Sequence, residues 1–233
     1  MGATSTILLL DIDAHGRVAE ALRDWSEHGV VAPLWADALT RAGERRPAAR
    51  DRANVRAGTG HLPLVDGSLD EDTRGAIEVL VLEATRGDGV AIGNARSIVV
   101  DAEDAIPALE GTWEASMDGR APASRLGQLL LALDGGLRLF NRGDGGFGEG
   151  LCGMLDSSDT SALVALLERA GRSAPHVASC VEIRERMAHD DAPCLFAVHA
   201  MARLAVSHGL GMLHGRDLRL AHLGAWRAGV FSR

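Results

Sequence analysis

Apolar and polar positions alternate along the chain in blocks that predict an α/β organisation. Residues 6–10 (Thr6, Ile7, Leu8, Leu9, Leu10) form an unbroken apolar run, the pattern of a strand buried on both faces, as in a parallel sheet. In the stretch 16–28, Val18, Ala19, Leu22 and Trp25 recur at helical spacing, and Gly29 follows as a C-terminal cap. The stretch 30–35 is again apolar and predicts a second strand, with Pro33 confining it to an edge or shortening it. The expected opening is therefore a βαβ unit. Residues 76–82 and 97–100 predict two more strands. The segment 90–92 is a short partner across Gly93-Asn94, and 104–110 is a brief helix limited by Pro107.

The pattern changes near Met117, Asp118, Gly119 and Pro122, which divides the chain into a sheet-forming half, 1–117, and a helix-rich half, 118–233; the two can also form one continuous domain. In the second half, 124–133, 158–170, 177–188 and 193–207 predict helices, the last opening on Pro193. Between them, 137–140 predicts a short strand and 143–153 a glycine-dense loop. The tail, 210–233, has weak periodicity. The expected fold is α/β: an N-terminal βαβ-type, mostly parallel sheet with the helix-rich C-terminal half packed on it.

Composition narrows the chemistry. The 233 residues carry a formal charge of −8, and all 24 basic residues are arginine. With neither lysine nor tyrosine, Schiff-base chemistry, a P-loop lysine and a Tyr/Lys reductase pair are excluded. The arginine-only usage, with abundant Ala and Gly, resembles a bacterial GC-rich coding bias. Four Phe and four Trp leave little for an aromatic platform on single-stranded nucleic acid. Cys152, Cys180 and Cys194 are an odd number without C-x-x-C spacing, which argues against a disulfide framework or a zinc knot. Residues 1–6 lack a basic leader region, and no run approaches the roughly 18 apolar residues of a membrane span. A cytoplasmic protein is expected, with no membrane association.

One segment departs from the overall acidity. Residues 41–56 hold six arginines against Glu44 and Asp51, a net +4 that leaves −12 for the remainder. Its arginines, notably Arg45, Arg46, Arg50 and Arg52, suit bidentate contact with phosphate or an acidic partner. The plainer reading is a solvated connection broken at Pro47. The acidity of the rest argues against duplex nucleic acid as a partner.

Carboxylates are the first candidates for chemistry. Three expected strands end in an acid: 7–10 into Asp11, 79–82 into Glu83, and 98–100 into Asp101, with Asp13 close by. In a parallel sheet these would converge at the carboxyl edge, where open α/β sheets bind ligands, and would form an Mg²⁺ or Mn²⁺ site for phosphoester or nucleotide hydrolysis. The competing reading makes them turn and helix-cap residues. Asp11-Ile12-Asp13 resembles the D-x-D opening of haloacid-dehalogenase-type phosphatases, which implies an attacking Asp11 and an Asp13 that handles the leaving group. The resemblance covers this motif alone: Ala14-His15-Gly16 replaces the usual Gly-Thr, and the family's lysine has no counterpart in a lysine-free chain.

Other candidates are weaker. The G-x-G-x-x-G spacing at 143–148 contains Asp144 and is followed by Glu149, which would repel a pyrophosphate. Cys152 sits in a motif one glycine short of a nucleophile elbow. His199 and Arg203 lie i,i+4 on an apolar helix and mark a polar pocket or a surface stripe. No complete catalytic constellation survives these spacing tests. The sequence therefore favours a non-catalytic interaction or regulatory module, with a protein partner or a second copy of the chain. The alternatives are the metal-dependent hydrolase, and a small-molecule binding protein or Cys/His enzyme.

Overall fold

The computed structural model describes residues 4–41, 52, 55–56, 64–65, 71–94, 98–135, 150–216 and 218. In chain order, β1 (Thr4–Leu10) leads into α1 (Ile12–Arg23), whose end widens into a π-type segment, Asp24–His28; α2 (Pro33–Arg41) follows. A small ladder, β2 (Val55–Arg56) with β3 (Leu64–Val65), precedes α3 (Glu71–Leu82) and β4 (Thr85–Asn94). Then come α4 (Ile98–Ala105), a 3₁₀ turn (Pro107–Leu109), α5 (Thr112–Met117) and α6 (Arg125–Gly135). β5 (Gly150–Leu155), α7 (Ser157–Arg169), α8 (Cys180–Met187), α9 (Pro193–Ser207) and β6 (Gly211–Arg216) complete the described chain.

Four strands form one sheet in the order β4-β1-β6-β5, and every neighbouring pair is antiparallel. The expected mostly parallel sheet is therefore corrected to an antiparallel one in a mixed α/β fold. An apolar run such as 6–10 marks a strand covered on both faces, and helices here cover both faces of an antiparallel sheet. Strands from both sides of residues 117/118 contribute: β1 and β4 from the first half, β5 and β6 from the second.

The pleat sends successive residues of β1 into two separate cores. Ile7 and Leu9 join Val90, Leu155 and Met212 beneath α4, α6, α7, α8 and α9. Leu8 and Leu10 join Leu151 and Leu213 beneath α1, α2 and α3. Trp25 and Trp35 pack in that second core with ring centroids 5.4 Å apart, tilted by 52°. α9 lies against β1, β4 and β6 and is buried along nearly its whole length.

Three expected strands are helices. Pro33 is the first residue of α2, where its fixed φ and missing N–H suit a helix start. The 76–82 run closes α3; Ala76, Ile77 and Val79 through Leu82 are all fully buried and Glu78 is nearly so, so this half of the helix is covered on every side and its β-branched content misleads. Ile98 opens α4, and Gly93-Asn94 ends β4 instead of turning a hairpin. The expected strand at 137–140 and loop residues 143–149 lie outside the described residues. Gly150 through Gly153, expected as loop, belong to β5. A Cβ at Gly153 would lie 2.1 Å from the Leu133 carbonyl oxygen, so glycine is what lets α6 rest directly on β5. Gly29, at φ 72°, caps the helical segment as expected.

Candidate functional site

The acids proposed to share a parallel edge do not. Only Asp11 follows a strand; Glu83 follows α3 and Asp101 lies inside α4. Asp11 caps α1, its Oδ1 accepting from the Ala14 N–H at 3.0 Å, and its own N–H donates to the Ala84 carbonyl at 2.8 Å. Arg86 stands 3.4 Å from its second oxygen. Asp13 sits exposed in the first turn of α1, where a carboxylate complements the helix dipole. Glu83 pairs with Arg41, which also holds Asp37 at 2.8 Å. Asp11 and Glu83 are therefore each already served by an arginine. Among the described residues, no group of three or more His, Cys, Asp or Glu is placed to hold a metal ion.

The arginine-rich segment is partly described. Arg52 donates from Nε to the Trp25 carbonyl at 2.9 Å and reaches the Ser26 carbonyl at 3.4 Å. It adds a second bond to the Trp25 carbonyl, which already accepts from the Gly29 N–H at 2.9 Å, at a helix end where a cation is favoured. Arg45, Arg46 and Arg50 lie outside the described residues.

A buried polar node that residue spacing does not reveal lies where β6, α6 and α4 meet. Asp134, at the end of α6, is 2% exposed at its side chain and stands 3.3 Å from Arg216 Nη2 and 3.8 Å from His214 Nδ1. Its other oxygen accepts from the Val99 N–H at 3.5 Å, in the opening turn of α4. His214 is fully buried, and its Nδ1 donates to the Leu133 carbonyl at 3.2 Å. Burial pushes its pKa down to about 4, against the opposing pull of Asp134, so the ring is neutral near pH 7. Asp101 neighbours Cys194 in the same layer. Burial first, then the Asp101 carboxylate, push the Cys194 thiol up, which keeps it protonated and un-nucleophilic. All three cysteines are buried free thiols. His214 and Arg216 tie β6 to α6, and Asp101 ties α4 to α9 through Cys194.

A groove of about 240 Å³ opens on the outer side of the same layer, lined by Val164 and Glu168 of α7, His176 and Val177, and Arg203, Val206 and Ser207 of α9. Arg203 donates to the Ala174 carbonyl at 2.8 Å and stands 3.4 Å from Glu168. His199, one turn earlier on α9, is 2% exposed, and its Nε2 has no hydrogen-bond partner among the described residues. Burial lowers its pKa. Compared with known proteins, the chain matches no family model, no curated protein and no solved structure. Among the described residues no helix is long and apolar enough to cross a membrane.

Two outcomes follow from these roles. Asp11→Ala removes the cap and lowers stability by about 1 kcal/mol, whereas Asp11→Asn, an equally good cap, changes it by a few tenths at most, measured by urea unfolding. A large loss in Asp11→Asn would contradict the capping role. For His214, the unfolded imidazole binds its proton near pH 6.5 and the folded one only near 4. Stability therefore falls as pH drops from about 6.5 toward 4 and levels off above that window. His199 contributes with the same sign, so His214→Asn shallows the slope without abolishing it. An unchanged slope in His214→Asn would rule out this assignment.

Proposed function

We propose that the protein is a non-catalytic interaction or regulatory module of a bacterial cytoplasm, acting on a protein partner or on a second copy of itself. One surface feature carries this reading. Val30 and Val31 are consecutive and 54% and 43% exposed, on the bend between the π-type segment and α2. That bend is fixed on its inner side by the left-handed Gly29 and by Arg52 on the Trp25 carbonyl. A pre-set turn presenting two aliphatic side chains loses little conformational entropy when a partner covers them. The roles of Asp11, Glu83 and Arg52 support the same reading, since each serves as a cap or an ion pair.

The test is site-specific photo-crosslinking from position 31, with position 181, an exposed valine on α8, as reference. The purified protein and cells expressing it are both irradiated. The expected result is an adduct of defined mass from position 31, a dimer or a single heterologous complex, that Val30→Asp greatly weakens. Thermal stability of Val30→Asp should stay within about 0.5 kcal/mol of wild type, as for an exposed site. Equal, diffuse adducts from both positions would overturn the reading.

A further inference from the structure

We propose that the groove between α7 and α9 binds a small aliphatic monocarboxylate. Its apolar walls, Val164, Val177 and Val206, come from three different segments, and Val206 is 40% exposed. At about 240 Å³ it falls below the ~300–1,000 Å³ of sites for drug-sized ligands, which points to a short, branched chain. The polar end is set by Arg203, whose planar fork matches a carboxylate. Its Glu168 partner stands at 3.4 Å, well beyond the ~2.7–2.9 Å of a strong charge-assisted hydrogen bond. A ligand carboxylate can therefore displace Glu168 at little cost while Arg203 keeps its bond to Ala174.

Glu168 is the carboxylate that faces Arg203 at this corner, and the neighbouring Arg172 is matched by Asp190 at 3.8 Å. His199, one turn before Arg203 on α9, is buried and does not line the groove, so the charged contact to the ligand comes from Arg203. This proposal goes beyond the interaction reading and is independent of it, because the groove and the Val30–Val31 bend belong to helical layers on opposite faces of the sheet.

The experiment is a titration of methyl-labelled protein with three tail-matched probes: 4-methylpentanoate, 4-methylpentanol and 4-methylpentylamine. The carboxylate should give saturable shifts of the Val164, Val177 and Val206 methyls, with Kd on the order of 0.1–1 mM for so small a ligand. The alcohol and the amine should bind at least tenfold more weakly. Arg203→Gln should abolish carboxylate binding. Glu168→Gln, which removes the competing carboxylate, should strengthen it and guards against mere misfolding of the arginine variant. Equal binding of alcohol and carboxylate, preferential binding of the amine, or no saturable shift would each overturn the proposal.

Discussion

The strand β1, one of the two interior strands of the sheet and buried on both faces, carries the architecture. Ile7 and Leu9 belong to one core and Leu8 and Leu10 to the other, with none of the four more than 4% exposed. At about 1.5–3 kcal/mol for each fully buried side chain, β1 anchors both helical layers at once. Its two hydrogen-bonding edges are also occupied, by β4 and β6. The end of β1 is thereby fixed, and with it Asp11, the cap of α1, and the contact to Ala84 that starts the return into β4. The helices of the second half cover the opposite face, with α9 against three of the four strands.

Helices with a clear apolar stripe and a boundary signal were legible in the sequence. Pro193 at the start of α9, Gly29 after the first helical segment, and the stripes of α6 and α7 all mark elements that the structure contains. Capping pairs at Asp156/Asp159 and Ser179/Glu182 would have refined two further starts, since each cap side chain accepts from the N–H three residues on. The short β-branched runs were not legible. In 76–82 and 98–100 a helix buried on most sides has the same local composition as a buried strand, and only tertiary packing separates them. Strand direction was equally hidden, because a strand covered on both faces reads the same in parallel and antiparallel sheets.

The misreading of direction propagated to the candidate site. Asp11, Glu83 and Asp101 looked equivalent only if each ended a parallel strand. In the structure the first is a cap, the second an ion-pair partner in a turn, and the third a neighbour of Cys194. Conversely, Asp134, His214 and Arg216 are 82 or fewer residues apart in sequence but meet in one buried node. No spacing rule reaches such a pairing between a helix end and the last described strand. His199 with Arg203 is the exception: their i,i+4 spacing marked a stripe, and Arg203 does line a groove.

Hydrogen exchange resolved by residue tests most directly whether one strand holds two cores. Amides of Ile7 through Leu10 and of Met212 through His214 should exchange slowest, and only through global unfolding, with the α1–α3 and α6–α9 layers lost in the same cooperative transition. If one layer exchanged and melted while β1 stayed protected with the other, the two cores would be independent units, and β1 would not be the element on which both depend.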